Sequence, residues 1–382
     1  MVWENSLNEG FVLMNLNRDD VMYVKGVYEN FYGQLNDVSD YMRIKKQEAL
    51  SQLPAQLFSH ADDYFDAYDM SPMDMEFKLV EIPHQFYMSL LEYTTSWGFE
   101  TTPGRMLRYG VIEKNTGRYI GLIKMGSPLI NMKPRNELLG GVPKLPIFNR
   151  HAMMGFQIVP MQPFGYNYLG GKLLALICAS HFMRREWDKK YGTEICMFET
   201  TSLYGDIKGV SQYDGLKPFM RYKGLSESQF LQSFLDKQYD ELRDFFKIRN
   251  GGVPILKRPQ ASYRMKIQNM MLGILKRNLR DLDKQMYEDF SDFIKERVSL
   301  TTKKRYYVGH CGFKNAIEYI KGDDSTLEKN INFDRFEMDY MIEWWRKKAQ
   351  RRYEKLVENG NFRTEQEIWD RNDIKENYDI IR

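Results

Sequence analysis

Cysteine is scarce: three in 382 residues, Cys178, Cys196 and Cys311, with no close pair among them. That excludes a disulfide framework and a cysteine-built zinc site, and the apolar runs around Cys178 and Cys196 mark both as small core residues. Long apolar runs are lacking too. None approaches the roughly 20 residues that a bilayer span requires. The acidic start MVWENSLNEG has no secretory-leader pattern, so a soluble, cytoplasmic protein without membrane contact is expected. Nor is there a large charge of one sign: the formal net charge is +3 with 28% charged residues. The whole molecule is therefore no polyanion trap, and charge has to be read segment by segment.

Aromatic residues are plentiful, at 14% and spread along the chain, which argues for a folded protein with a large core. The pattern divides into three: a helical region over 1–75, an α/β region over 76–225 and a helical, partly basic region over 226–382. In the first, Val38, Tyr41, Ile44, Ala49 and Leu50 line one side of a helix that closes at Pro54. His60, Asp62 and Asp63 follow in an acidic connector without ligand spacing, so no metal site is assigned.

The middle region carries the clearest signals. EFKLVEI alternates as a strand, and HQFYMSLLEYTTSW reads as a helix. MLRYGVIEKNTGRYIGLIKMGSP is a hairpin turning on Asn115-Thr116-Gly117. GFQIVP is a buried strand, and the turn MQPFGYNYLGG leads into KLLALICASHFMRREW. There Leu173, Leu174, Ile177, Cys178, His181 and Phe182 fall at helical spacing. ICMFET is the next buried strand, and a final strand closes the stretch near Leu225. Gly170 and Gly171 stand at the helix start, where unpaired N–H groups favour a pyrophosphate. Close packing of helix on sheet is the other reason for glycines there.

Beyond Leu225, SESQFLQSFLDKQYDELRDFFKIRN keeps an apolar stripe. Between Lys257 and Arg305 stand thirteen Lys and Arg against six Asp and Glu, interleaved with tyrosines. A long helix over about 334–358 follows. It carries Met338, Met341, Trp345, Ala349 and Tyr353 on one face, with Arg351 and Arg352 off it. A DNA contact is expected of Lys257, Arg258, Arg264, Lys266, Lys303, Lys304, Arg305, Arg351 and Arg352. The bland counterpart is a solvated helix face.

The order hairpin, apolar strand, glycine-bearing turn, helix, strand resembles the GNAT acyltransferases. GVSQYDGLKPFMRY is similar to their small-residue, Tyr, Leu-Gly-Phe ending. The resemblance implies an α/β (α+β) fold with a mixed, splayed central sheet, flanked by helices and admitting acetyl-CoA or another acyl-CoA. A second resemblance covers about 119–225 and is to the DruA-like family, associated with Druantia anti-phage systems and mobile elements. It rests on Arg135-Asn136, Ile158-Val159-Pro160, Phe198-Glu199-Thr200 and Gly209-Val210-Ser211-Gln212-Tyr213. Asn136, Gly141 and Gln212 stand where that pattern usually has Asp, Trp and Cys. The phage Mom protein, which modifies adenine in DNA, is similar at fold level only.

The GNAT resemblance implies a mechanism. An amine attacks a thioester carbonyl, whose developing oxyanion takes a backbone N–H from Ile158 or Val159. Amides of Tyr168, Leu169, Gly170 and Gly171 hold the pyrophosphate, with Lys172 adding charge. Tyr213 is the general acid toward the leaving thiolate, Glu199 a base for the amine, and His151 a weaker one. A packing role for Tyr213 and a loop-capping role for Glu199 stay open. The glycine turn departs from the acyltransferase pattern: it opens on Gly165-Tyr166-Asn167, and its glycines are adjacent. The reading is acyl transfer to a base amine of phage or mobile-element DNA, alongside possible protein partners of a defence system. The alternatives are a non-catalytic DNA-binding subunit using Arg135, Glu199 and Tyr213 as a recognition surface, and an ordinary N-acetyltransferase.

Overall fold

The computed structural model describes residues 14–52, 61–95, 104–202, 209–226, 231–256, 263–299 and 303–369. They form two compact units, both discontinuous in sequence. One is drawn from 1–48, 99–103 and 229–301, the other from 49–98, 104–228 and 302–382. Cuts at 75 and 225 therefore do not follow the contacts, because each unit recruits chain from both sides of the other.

The first unit is helical. Arg18–Gly33, Asp236–Arg249, Tyr263–Leu282 and Lys284–Ser299 bury Val24, Tyr28, Phe234, Leu242, Phe246, Met271 and Leu275 together. Asn17 caps the first of these helices, its side chain accepting from the Asp20 N–H at 2.8 Å. One buried amide organises the interior. Gln268 donates to the Tyr32 hydroxyl (2.8 Å) and the Gln232 carbonyl (2.9 Å), and its Oε1 accepts from the Phe234 N–H (2.9 Å).

The second unit is built on seven strands: β1 Phe77–Glu81, β2 Met106–Glu113, β3 Tyr119–Gly126, β4 Ala152–Pro160, β5 Met197–Ser202, β6 Arg221–Leu225 and β7 Arg305–Gly309. Their order is β1-β2-β3-β4-β5-β7-β6, antiparallel throughout except for the parallel β4/β5 pair. The chain is thus a mixed α/β protein, as its pattern indicates. The β2–β3 turn forms where Asn115-Thr116-Gly117 stand, with Gly117 at φ 70° and the Glu113 carboxylate accepting from the Thr116 N–H at 2.8 Å. β7 forms where the sequence pattern placed no strand, and it carries Tyr306 and Tyr307. Both are buried, and the strand joins β5 to β6.

The helix expected over 172–187 is two, Gly170–Ala179 and His181–Tyr191. Ser180 breaks it: its backbone is extended, and its hydroxyl caps the second helix by accepting from the Met183 N–H. Gly170–Ala179 packs on β3 and β4, with Leu174 filling the space that a Cβ on Gly121 would take. The helix Met338–Glu358 covers it in turn, burying Met341, Trp345 and Ala349. No helix among the described residues is long and apolar enough to cross a membrane, and no group of three or more potential metal ligands occurs among them. His60 lies outside the described residues.

Candidate active site

β4 runs alongside β3 to its end but pairs with β5 only over Ala152–Gly155 against Met197–Thr200. From Phe156 to Pro160 the edge facing β5 has no ladder partner among the described residues, so the sheet forks after the Gly155–Thr200 pair. A bulge sits at the fork. Lys124 opposes Gln157 while Met125 opposes Gly155, which leaves Phe156 as the extra residue. Bulges bend a strand and free backbone groups from the ladder.

Tyr213 stands at this fork. Its ring meets Tyr307 edge-on at 5.5 Å, and the side chains of Thr200 and Gln212 lie close enough to its hydroxyl to oppose part of the effect of burial. The Thr200 hydroxyl donates to the Gly155 carbonyl at 2.8 Å, tying the last paired residues of the two strands. Burial holds the Tyr213 phenol above its ordinary range, so the proton stays on at neutral pH. Ile158 and Val159 lie on the free stretch of β4, opposite Ile123 and Leu122 of β3.

Glu199 is one residue from Thr200, so it faces the other side of the sheet. It is fully buried, ion-paired with Arg135 at 3.3 Å and accepting from the Tyr306 hydroxyl at 2.8 Å. Burial raises its pKa, against the opposing pull of Arg135 and Tyr306. Arg135 is fully buried as well, donating to the carbonyls of Leu129 (2.7 Å) and Ile130 (3.0 Å) and stacking on Phe148. Two expectations are corrected on that ground. Arg135 is an internal counter-ion with no surface for nucleic acid, and Glu199 is sealed away from any amine approaching Tyr213. His151 precedes β4, a strand of nine residues or roughly 30 Å from the turn that follows it, and its Nδ1 is held by the Glu194 carbonyl at 3.0 Å. It does not join the fork.

The turn after β4 meets the helix Gly170–Ala179 through Leu169, at φ 56°. Neither glycine of the pair needs a positive φ; both are there because backbone and side chains come close. A Cβ on Gly170 would sit 2.6 Å from the Phe164 ring, and one on Gly171 would overlap the Gln212 side chain. Tyr168 is buried, its carbonyl accepting from Trp345 Nε1 at 2.9 Å. The Lys172 ammonium donates to the carbonyls of Gln212 (2.9 Å) and Asp214. Cations nevertheless collect at this turn. Arg352 Nε donates to the Tyr166 carbonyl at 2.6 Å, Arg363 stacks on the Tyr166 ring, and Lys348 is close enough to lower the Lys172 pKa alongside the larger effect of burial. The helix-start amides of Gly170 and Gly171, without a hydrogen bond among the described residues, and this positive surround fit an anionic group, with the Gln212 side chain displaced from Gly171.

The other expected DNA contacts are divided. Lys257 and Arg258 lie outside the described residues. Arg264 and Lys266 belong to the helical unit, and Arg264 is held by Asp236 at 2.5 Å and by the Phe234 carbonyl. Lys303, Lys304 and Arg305 flank β7 in the sheet unit, where Arg305 pairs with Asp214 at 3.5 Å. Arg351 is exposed, whereas Arg352 is spent on Tyr166.

Sequence reasoning missed a row of polar residues across the sheet. Arg108 of β2 opposes Lys124 of β3, which opposes Gln157 of β4. Lys124 is 4% and Gln157 2% exposed. Among the described residues neither atom of the Gln157 carboxamide has a hydrogen-bond partner, and neither has the Arg108 Nε. The signal was there: one lysine inside the apolar run YIGLIKMG, and one glutamine inside GFQIVP.

The chain matches the family described as Druantia protein DruA over residues 34–226. A curated relative of that description, from Escherichia coli (strain UMEA 4076-1), is 32% identical over 99 residues, covering 24% of this chain and 23% of that protein. The similarity thus spans about a quarter of that relative's length. No solved structure matches.

Proposed function

The chain belongs to the family of the Druantia protein DruA, and from that premise we propose that it acts on DNA in a cytoplasmic anti-phage system, transferring an acyl group from acyl-CoA to a base amine. The observation that carries the reading is the fork: a strand freed from its neighbour past Gly155–Thr200, with a protonated, buried tyrosine at the parting and a glycine-bearing helix start after it. The strand order, with one parallel pair at its centre, supports a GNAT-like sheet and an analogy of fold with Mom.

Acyl-CoA supplies the activated carbonyl. The free edge of β4 near Ile158 and Val159 offers N–H groups to the oxygen that gains charge as the C–N bond forms. The C–S bond breaks, and Tyr213 gives its proton to the thiolate. The proton lost by the amine returns through solvent to the phenolate. Gly170 and Gly171 amides, with Lys348 and Arg352 nearby, hold the phosphates. Glu199, with Arg135, fixes β5 under the fork as a positioning pair.

A second reading has its own observation. The Gln212 side chain lies over Gly171 and the Lys172 ammonium is tied to carbonyls, as suits a DNA-binding subunit that keeps the fold without acyl transfer. Calorimetry with acetyl-CoA separates the two. The first predicts saturable heat, lost when Gly171 is replaced by Leu; no heat and no thermal shift with the wild-type chain would select the second.

A further inference from the structure

The row Arg108–Lys124–Gln157 is a polar track in a part of the sheet otherwise buried on both faces. Residues directly opposite on antiparallel strands share a face, so the three side chains stand side by side. Exposure falls along the track. His84, near Arg108 and Lys124, is exposed; Arg108 is half-buried; Lys124 and Gln157 are buried. The inner end is the bulge at the fork.

Among the described residues the track has no counter-charge. Lys124 makes no hydrogen bond or ion pair among the described residues, and Arg108 reaches only the Met106 sulfur, at 3.2 Å. Besides burial, the groups that perturb His84 and Lys124 are cations alone, with no carboxylate among them. Buried charges are ordinarily paired and buried amides ordinarily hydrogen-bonded, so an unpaired lysine beside an unpaired glutamine awaits a partner from outside. The outer end asks for an anion. The inner end asks for a group with a donor beside an acceptor, as a carboxamide gives to the edge of a base. Two strand spacings separate Arg108 from Gln157, about 10 Å, comparable to the reach from a nucleotide's phosphate to the far edge of its base.

We infer that this row is a cradle for one nucleoside 5′-phosphate on the face of the sheet opposite Thr200 and Tyr213, with Arg108 and Lys124 on the phosphate and Gln157 on the base edge. The inference goes beyond the acyl-transfer reading and does not depend on it, since nucleotide binding is measurable without any transfer. A base paired inside a duplex cannot present its edge to a buried carboxamide, so the nucleotide is either free or swung out of a strand.

The test is calorimetric titration of the full chain with dAMP, 2-deoxyribose 5-phosphate and a five-nucleotide single strand. Lys124→Met should weaken dAMP and the sugar phosphate alike by about tenfold or more, the effect of losing a charged hydrogen bond. Lys124→Arg should restore much of that binding. Gln157→Met should weaken dAMP by about fivefold and leave the sugar phosphate unchanged. Both Met variants should melt at or above the wild-type temperature. Tighter binding of the oligonucleotide than of dAMP identifies a strand as the source; the reverse identifies a free nucleotide. No heat with dAMP, equal dAMP affinity in wild type and both Met variants, or a lowered melting temperature for Gln157→Met would overturn the cradle. Failure of the acyl-transfer reading shows separately, as absent acetyl-CoA heat with dAMP binding intact.

Discussion

Each unit buries a glutamine, and the two are treated in opposite ways. In the helical unit Gln268 uses both amide hydrogens and its oxygen, each on a named partner within 2.9 Å. In the sheet unit Gln157 is as deeply buried and uses neither atom. A satisfied buried amide specifies packing, since removing it strands its partners. An unsatisfied one lowers stability, and its retention beside Lys124 at a strand bulge is what a binding site looks like from within. The same contrast separates charges in the sheet unit: Glu199 and Arg135 neutralise each other, whereas Lys124 and Arg108 have no counter-ion among the described residues.

The largest break in this comparison should come from Glu199→Gln. It leaves the buried Arg135 without its counter-charge and should cost about 3–5 kcal/mol, read as a fall in denaturation midpoint. A variant that melts like wild type would remove Glu199 from the structural side. Next is Gln268→Met, which strands the Phe234 N–H and should cost about 1–3 kcal/mol by the same measurement. Gln157→Met should go the other way, gaining up to about 1 kcal/mol.

The smallest effect is in the pH dependence. Burial first, and Arg108 second, hold the Lys124 pKa down at about 8, from an ordinary 10.5. Between those values the unfolded chain keeps a proton that the folded chain has released, so this site adds stability as pH rises through the window. Lys124→Met should accordingly be more stable than wild type at pH 7, with the gap closing as pH approaches 10. A gap that widens instead would mean that Lys124 has a counter-ion in solution.

Local signals made much of this legible. Asn115-Thr116-Gly117 marked the β2–β3 turn, and the apolar runs GFQIVP and ICMFET marked the two strands of the parallel pair. Met341, Trp345 and Ala349 marked the buried face of the last helix. What escaped was set by distance. Arg135 and Glu199 are 64 residues apart, and nothing local to Arg135 distinguishes an internal counter-ion from a surface arginine. β7 is short, begins on the last of three consecutive basic residues and is defined by its pairing with β5, a strand far off in sequence. Nothing local sets Lys124 apart, because a strand covered on both faces cannot be told locally from one with a wet side. The likeness to the Druantia protein DruA held, whereas Glu199, the base that the acyltransferase resemblance implied, faces away from Tyr213.

Whether the fork performs chemistry can be measured directly. The direct measurement is mass spectrometry of nucleosides released from single-stranded DNA after incubation with the full chain and acetyl-CoA, for wild type and Tyr213→Phe side by side. An acylated nucleoside should form with the wild type, fall by about 10²–10⁴ in rate with Tyr213→Phe, and do so without a change in melting temperature. Equal yields from both proteins, or only unmodified nucleosides while acetyl-CoA is demonstrably bound, would contradict it.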